Sequence, residues 1–228
     1  MNIQGFQKMT LLDYPGKVAC TVFTGGCNLR CPFCHNAELV LDPFEYKSVE
    51  NEVIEYLNKR KGLIDGVCIT GGEPLLQKDI VSFINRVREL GYKIKLDTNG
   101  TFPDKLNNII ESKLVDYIAM DIKYSVENYD LAVGCNVNKE KITESIKLIK
   151  TSKIDHEFRT TAVKGIHSVT DFEKMAQLVG NNEKYYIQMF VDSGNLIGKG
   201  VFAFNEQEMK NILIAAKQYA DLTELRGI

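Results

Sequence analysis

Stretches that predict β-strands alternate with stretches that predict α-helices along almost the whole chain, and this alternation restricts the fold more than any other feature. Apolar, β-branched runs predict strands over residues 18–24, 66–70, 93–97, 117–121, 157–163 and 185–191. Helical spacing of apolar residues predicts helices over residues 49–61, 78–90, 103–112, 139–151, 169–179 and 206–219, with Ser48 and Asn205 as N-caps. Six strand–helix units favour an α/β fold with parallel strands and right-handed crossovers, either an open doubly wound sheet or an incomplete barrel.

The composition is that of an ordinary globular protein and excludes several classes of function. The 228 residues are 44% hydrophobic and 25% charged, which suits one domain over residues 1–228. No apolar run reaches the roughly 20 residues that cross a bilayer, and no signal-peptide pattern opens the chain. With 28 Lys and Arg against 30 Asp and Glu, the net charge of -2 gives no support for nucleic-acid binding. We therefore expect a cytoplasmic protein with neither a membrane nor a nucleic-acid partner.

Three of the six cysteines are concentrated in one short segment. Cys27, Cys31 and Cys34 form a C-x3-C-x2-C pattern on the loop after the first predicted strand. Cys20 and Cys68 lie in apolar runs and are expected to be buried as small hydrophobic side chains. Cys135 follows a glycine in a predicted loop, and no role is predicted for it. This distribution does not resemble a disulfide framework.

The cysteine triplet is compatible with three states, of which the sequence favours one. A structural zinc site would need a fourth ligand at similar spacing, and His35, directly after Cys34, cannot easily turn back onto the same ion. A redox dithiol would need two cysteines rather than three. A [4Fe–4S] cluster ordinarily takes four cysteine ligands, so three would leave one iron open to a small molecule. The cluster is favoured over zinc and over unliganded thiols.

Polar residues follow the next strands directly, where chemistry is expected in a parallel sheet. Gly71, Gly72 and Glu73 precede Pro74; the glycines allow close backbone approach, and the segment offers acceptors to an ammonium group. The alternative for this segment, and for Asp97-Thr98-Asn99-Gly100, is an ordinary turn. Asp121 and Lys123 share one face at the end of their predicted strand. Instead of binding a ligand, Lys123 could form a structural ion pair with Asp121, and Arg159 could do the same. His167 and Gln188 are weaker candidates.

The cysteine spacing, with the aromatic Phe33 before the third cysteine, resembles the radical S-adenosylmethionine enzymes. The resemblance implies a partial (βα)6 TIM-like barrel, open at its C-terminal mouth, with a cluster loop over residues 25–36. It implies one [4Fe–4S] cluster on Cys27, Cys31 and Cys34, whose open iron binds S-adenosylmethionine and whose electron yields a 5′-deoxyadenosyl radical. No further catalytic side chain is expected. The implied cofactor contacts are Phe33, Gly71, Gly72, Glu73, Asp97, Thr98, Asn99, Asp121, Lys123 and Arg159.

Two longer segments resemble the activating enzymes of glycyl-radical enzymes, in particular those of anaerobic ribonucleoside-triphosphate reductases. These are residues 10–16, Thr-Leu-Leu-Asp-Tyr-Pro-Gly, and residues 24–36, which contain the cysteine triplet. The resemblance implies a large glycyl-radical enzyme as partner and flavodoxin or ferredoxin as electron donor. The alternatives are an activating enzyme for a pyruvate formate-lyase-like partner and a radical enzyme with a small substrate, such as a 7-carboxy-7-deazaguanine synthase-like enzyme. A non-enzymatic metal or electron-transfer module would leave the Gly71–Pro74 and Asp121–Lys123 motifs unexplained.

Overall fold

A computed structural model describes residues 1–42 and 49–228, and in this part eight strands form one sheet in chain order. The strands are β1 Ile3–Thr10, β2 Ala19–Thr24, β3 Gly66–Gly71, β4 Lys93–Thr98, β5 Tyr117–Asp121, β6 Asp155–Ala162, β7 Tyr185–Met189 and β8 Thr223–Arg226. Strands β2 to β8 pair in parallel, whereas β1 is antiparallel to β2. Within the described residues no pairing joins β1 to β8, so the predicted partial, open barrel with six strand–helix units is confirmed.

Helices connect the parallel strands and bury their apolar faces against the sheet. They are α1 Ala37–Leu41, α2 Val49–Lys59, α3 Ile80–Glu89, α4 Pro103–Glu111, α5 Tyr129–Val133, α6 Lys139–Thr151, α7 Val169–Val179 and α8 Glu206–Lys217. In α3 the buried residues are spaced three and four apart, which gives one apolar stripe: Ile80, Phe83, Ile84 and Val87. Asn205 caps α8 as predicted, with its side chain accepting from the Glu208 amide, whereas Ser48 lies outside the described residues.

Four elements were not predicted from the sequence. Strand β1 lies at the edge of the sheet and fully buries only its two end residues, Ile3 and Thr10, so its apolar alternation is weak. Strand β8 has four residues, two of them charged. Helices α1 and α5 have five residues each, too few to show a helical period. The six predicted strands and six predicted helices are all present, with ends shifted by at most two residues.

The interior of the barrel carries polar side chains between its N-terminal floor and its C-terminal mouth. Strand register places Thr21, Cys68, Lys95 and Tyr117 beside one another on four neighbouring strands. Cys68 is fully buried, as predicted, but its surroundings are not apolar. Its Sγ atom lies 3.8 Å from the Lys95 ammonium and 3.9 Å from Asp97 Oδ1. Its surroundings are polar because alternate residues of β3 face this interior.

A second group of polar side chains, the lower cluster of Tyr117, Glu157 and Arg226, surrounds the buried Glu157 carboxylate, and the Arg226 side chain is 35% exposed. Arg226 donates from both terminal nitrogens to the Glu157 carboxylate at 3.0 and 2.9 Å, and the Tyr117 hydroxyl donates to it at 2.9 Å. The Arg226 guanidinium stacks 3.3 Å above the ring of Tyr186. Tyr14 packs against Tyr117 at the N-terminal ends of the strands. Every acceptor of the buried Glu157 is therefore occupied by the protein itself.

The described helices include none that combines the length and apolar character needed to cross a membrane.

Candidate active site

The C-terminal ends of the parallel strands surround one cavity of about 410 Å³. Parallel strands place their carboxyl ends at the same edge of the sheet, which is why motifs as far apart in the chain as Cys27 and Arg159 meet here. The predicted site residues that line this cavity are Cys27, Cys31, Phe33, Cys34, Gly71, Gly72, Asp97, Thr98, Asn99, Asp121, Lys123 and Arg159. Of the cluster ligands and cofactor contacts that the family resemblance implies, Glu73 alone lies outside this lining.

Backbone hydrogen bonds from three directions hold the cysteine loop in place. The Arg30 amide donates to the Val133 carbonyl at the end of α5, at 2.8 Å. The Pro32 carbonyl accepts from the Gly198 amide, also at 2.8 Å, and the Gly26 amide donates to the Leu39 carbonyl at 2.7 Å. A loop with its polar groups satisfied in this way can present side chains in a fixed geometry.

The three loop cysteines are arranged in a way that suits a multi-iron cluster. Burial raises the pKa of the Cys27 thiol to about 11 and that of Cys31 to about 12, so an external cation is needed to hold them as thiolates. Among residues 1–42 and 49–228, no three His, Cys, Asp or Glu side chains converge on a single metal ion. A [4Fe–4S] cluster instead binds each thiolate through a different iron, so its ligands need only face one cavity. Cys27, Cys31 and Cys34 all line that cavity, so their thiols fit the ligand set of such a cluster.

The two glycines of the turn after β3 are required by close backbone packing. A Cβ atom on Gly72 would stand 1.9 Å from the Gly26 carbonyl oxygen. Gly71 has a φ of +113° and packs against the backbone of Thr24, where a Cβ would lie 2.3 Å from the Thr24 nitrogen. The glycines thus let this turn lie directly against the start of the cysteine loop. Their backbone reaches the cavity at that point.

Glu73 faces into the protein and joins two turns of the site. Its carboxylate accepts from the Leu75 amide at 3.0 Å, the Thr98 hydroxyl at 2.9 Å and the Asn99 amide at 2.7 Å. The side chain is fully buried, and burial raises its pKa to about 7 in spite of these donors. The carboxylate therefore fixes the turn after β4 relative to the turn after β3.

Four charged side chains at the mouth, Asp97, Asp121, Lys123 and Arg159, form what we call the upper cluster. Arg159 donates to Asp121 at 2.9 Å and to Asp97 at 3.1 Å, while Lys123 donates to Asp121 at 2.9 Å. The buried Lys95 also pairs with Asp97. Arg159 therefore combines the two predicted alternatives, because it pairs with Asp121 and also lines the cavity.

The upper cluster keeps both of its carboxylates ionised. Burial by itself would raise the pKa of Asp121, but Arg159 and Lys123 outweigh it and hold that pKa well below its usual range. Asp97 behaves in the same way, with Arg159 and Lys95 as the opposing cations. Adjacent ammonium, guanidinium and carboxylate groups on one cavity wall suit a zwitterionic ligand.

His167 supports the site from behind and does not line the cavity. Its Nε2 atom donates to the Lys123 carbonyl at 2.9 Å, and its Nδ1 atom accepts from the Val163 amide at 3.1 Å. This pair of partners requires the neutral ring, and burial lowers its pKa to about 4. Its ring also packs edge-on against Phe33, at 6.2 Å between centroids. His167 thus positions Lys123 and Phe33.

Several lining residues were missed or were rated low from the sequence. They are Asp13, Leu29, His35, Asn36, Val40, Thr70, Thr161 and Gln188. Thr161 could have been predicted, because it lies two residues after Arg159 on β6 and therefore faces the same side of the sheet. In the structure it pairs in register with Gln188. Cys135 lies against the cysteine loop, with its Sγ atom 3.6 Å from the Asn28 carbonyl oxygen.

The radical SAM superfamily model matches residues 21–179, and the chain belongs to this superfamily. The S-adenosylmethionine-bound structure of Streptococcus suis SuiB has the same fold, with a TM-score of 0.65 and 16% identity over 89% of this chain and 48% of that one. Members of this superfamily bind a [4Fe–4S] cluster and S-adenosylmethionine, and this enzyme takes both cofactors.

Sequence relatives identify the family within the superfamily. The Methanocaldococcus jannaschii protein named "Putative glycyl-radical enzyme activating enzyme MJ1227" is 34% identical over 99% of this chain and 96% of its own length. The chain belongs to the glycyl-radical enzyme activating enzymes. A 7-carboxy-7-deazaguanine synthase of Archaeoglobus fulgidus is 30% identical over 55% of this chain and 57% of its own length.

Proposed function

We propose that this enzyme generates the glycyl radical of an anaerobic ribonucleoside-triphosphate reductase. The [4Fe–4S] cluster would supply the electron that cleaves S-adenosylmethionine to methionine and a 5′-deoxyadenosyl radical, and this radical would abstract a hydrogen atom from one glycine of the partner. The observation that carries the proposal is the meeting of the cysteine loop, the Gly71–Gly72 turn and the upper cluster on one cavity. Flavodoxin or ferredoxin would deliver the electron, since the chain has no further cysteine pair for a second cluster.

Each group on the cavity wall would have one task. Cys27, Cys31 and Cys34 would hold the cluster, and Phe33 would lie beside the adenine. The Gly71–Gly72 backbone, held in place by Glu73, would accept hydrogen bonds from the amino group of the cofactor. Lys123 and Arg159 would bind its carboxylate, and Asp97 and Asp121, together with the Thr98–Asn99 turn, would face its ribose.

The motif at residues 10–16 supports the assignment to a reductase. Asp13 lines the cavity, and Tyr14 closes the floor of the barrel, where the Gly66 backbone packs against its ring. The segment that carries the resemblance therefore shapes the interior of the barrel. We take this as support for the reductase as partner and for residues 1–228 acting as one domain.

Exposed apolar side chains in the segments that follow the C-terminal strand ends support a macromolecular substrate. Leu41, Leu131, Val191 and Phe202 are between 57% and 69% exposed, and all four belong to segments that follow C-terminal strand ends. Isolated exposed apolar residues are common, but several in segments at the same end of the sheet favour contact with another protein. A glycine on a partner loop could then reach the cavity.

The competing candidate is a small-molecule radical enzyme, favoured by the partial similarity to 7-carboxy-7-deazaguanine synthase. The test is anaerobic incubation of the reconstituted enzyme with reductant, S-adenosylmethionine and the reductase of the same organism. A pyruvate formate-lyase replaces the reductase in a parallel sample. We expect a glycyl-radical doublet by electron paramagnetic resonance, together with 5′-deoxyadenosine, in the sample that contains the reductase. We expect no doublet in the sample that contains the formate-lyase. A doublet only with the formate-lyase would reassign the partner, and cofactor cleavage with neither would favour a small substrate.

A further inference from the structure

The side-chain amide of Asn99 contacts the sulfur of Cys27. The Nδ2 atom of Asn99 lies 3.7 Å from Cys27 Sγ and 3.0 Å from Asn28 Oδ1. The orientation of this amide is fixed by its neighbour, because the Thr101 backbone N–H donates to the other terminal atom at 3.0 Å. An N–H group can only donate, so the atom that faces Thr101 is the oxygen. The atom that faces the sulfur is therefore the NH₂ group.

A closed ring of hydrogen bonds keeps the amide in this position. The Thr101 hydroxyl donates to Asn99 Oδ1 at 2.7 Å and accepts from Asn28 Nδ2 at 2.9 Å. Asn28 in turn accepts from Asn99, which completes the ring. The Asn99 backbone amide is bound by the buried Glu73. The donor to the sulfur is thus held by groups on three separate segments.

The three cysteine sulfurs have different surroundings. Cys27 Sγ accepts from the Leu29 backbone amide at 3.4 Å in addition to the Asn99 amide. Over the described ranges 1–42 and 49–228, neither Cys31 nor Cys34 receives a hydrogen bond at its sulfur from a side-chain amide. Hydrogen bonds to ligand sulfurs stabilise the more negatively charged, reduced state of an iron–sulfur cluster and so raise its reduction potential.

We propose that Asn99 is a positioning residue for the cluster, whose N–H···S bond to Cys27 raises the reduction potential of that cluster. The inference rests on the proposed role of Cys27 as a ligand. It assigns the side chain of Asn99 to the cluster, whereas the family resemblance implied a contact between Asn99 and S-adenosylmethionine. Reduction by a weak physiological donor would then depend on a side chain that neither binds iron nor reacts.

The test is a redox titration of the reconstituted cluster in the absence of S-adenosylmethionine, followed by electron paramagnetic resonance of the reduced state. Asn99→Ala removes the donor, and we expect four irons per chain with a more negative midpoint potential. Asn99→Asp keeps the acceptor for Thr101 but lacks the donor, and its potential should also fall. Thr101→Val, the matched control, removes the hydroxyl from the ring but keeps the Thr101 backbone N–H on Asn99 Oδ1 and the Asn99 bond to Asn28. The Asn99 amide then stays beside the sulfur, so the potential should stay near that of the wild type.

Failure of the proposed Asn99 effect can be distinguished from failure of the proposed function. An unchanged potential in both Asn99 variants would overturn it, and so would an equal fall in Thr101→Val. Loss of iron from both Asn99 variants but not from Thr101→Val would show that Asn99 only holds the loop, which overturns the effect on potential. A wild-type protein that binds no cluster would instead contradict the proposed function.

Discussion

The barrel contains two groups of charged side chains, the lower cluster and the upper cluster, and only the upper cluster lines the cavity. In the lower cluster, Glu157 is bound by Arg226 and Tyr117, and none of these residues lines the cavity. In the upper cluster, the same chemistry of carboxylate and guanidinium stands on the cavity wall. Both clusters contain ion pairs within 3.1 Å. Ion pairing by itself therefore does not mark a functional site.

The difference lies in the cavity, which only the upper cluster lines, and in the loops above it. The lower cluster is covered by Tyr14 and Tyr186, whereas the upper cluster shares its cavity with the three thiols and the Gly71–Gly72 turn. We conclude that the lower cluster contributes stability and that the upper cluster is available to a ligand. Substitutions in the two clusters should therefore affect different measurements.

The largest effect is expected at the thiols. Cys31→Ala should abolish cluster binding and cofactor cleavage, because no other cysteine on the loop can replace the lost ligand. Cys68→Ala is the matched control, since Cys68 is equally buried but lies deeper in the barrel. Iron and sulfide content after anaerobic reconstitution distinguishes the two. Iron loss from Cys68→Ala would show that the site extends below the mouth.

In the lower cluster, Arg226→Met should lower the free energy of unfolding by about 3 kcal/mol, because it leaves the buried Glu157 charge without its cation. S-adenosylmethionine affinity should be unchanged. Arg88→Met, which breaks the more exposed pair with Asp116, should cost less than about 1 kcal/mol. Urea denaturation measures both variants. Weaker cofactor binding at unchanged stability in Arg226→Met would remove the distinction between the clusters.

In the upper cluster, Lys123→Ala should weaken S-adenosylmethionine binding roughly tenfold to a hundredfold, the range for a charged hydrogen bond of about 1.5–3 kcal/mol. The cluster should load normally, since Lys123 is not a ligand. Lys139→Ala is the control, because Lys139 also pairs with a carboxylate, Asp130, away from the cavity. Equilibrium binding under anaerobic conditions gives the affinities. Equal affinities in both variants would make Lys123 a structural residue.

A smaller effect, dependent on pH, is expected at His167. Its folded-state pKa of about 4 is below the ordinary value of 6.5, so the unfolded chain binds a proton more readily. The contribution of the neutral His167 ring to the free energy of unfolding is therefore present above pH 6.5 and is lost as the pH falls toward 4. Relative to His167→Gln, the wild type should lose about 2 kcal/mol between pH 7 and pH 5. A constant difference between the two unfolding curves would contradict a neutral, buried ring.

The sequence predicted the parallel strands and the motifs at their ends because both depend on local patterns. Apolar runs and helical spacing gave β2 to β7, and cysteine spacing gave the loop. The edge strand β1 and the short β8 depend on pairing with distant residues, so their local pattern is weak. The inward direction of the Glu73 carboxylate and the polar surroundings of Cys68 arise from tertiary contacts across the barrel. No local signal could have shown either.

The proposed metal centre of this enzyme lies at the mouth of the barrel, above the upper cluster. Anomalous diffraction at the iron absorption edge, on crystals of the anaerobically reconstituted protein, tests this position most directly. We expect a strong iron peak in the cavity between Cys27, Cys31 and Cys34. An iron peak elsewhere in the chain, or a peak at the zinc edge at this position, would contradict the account.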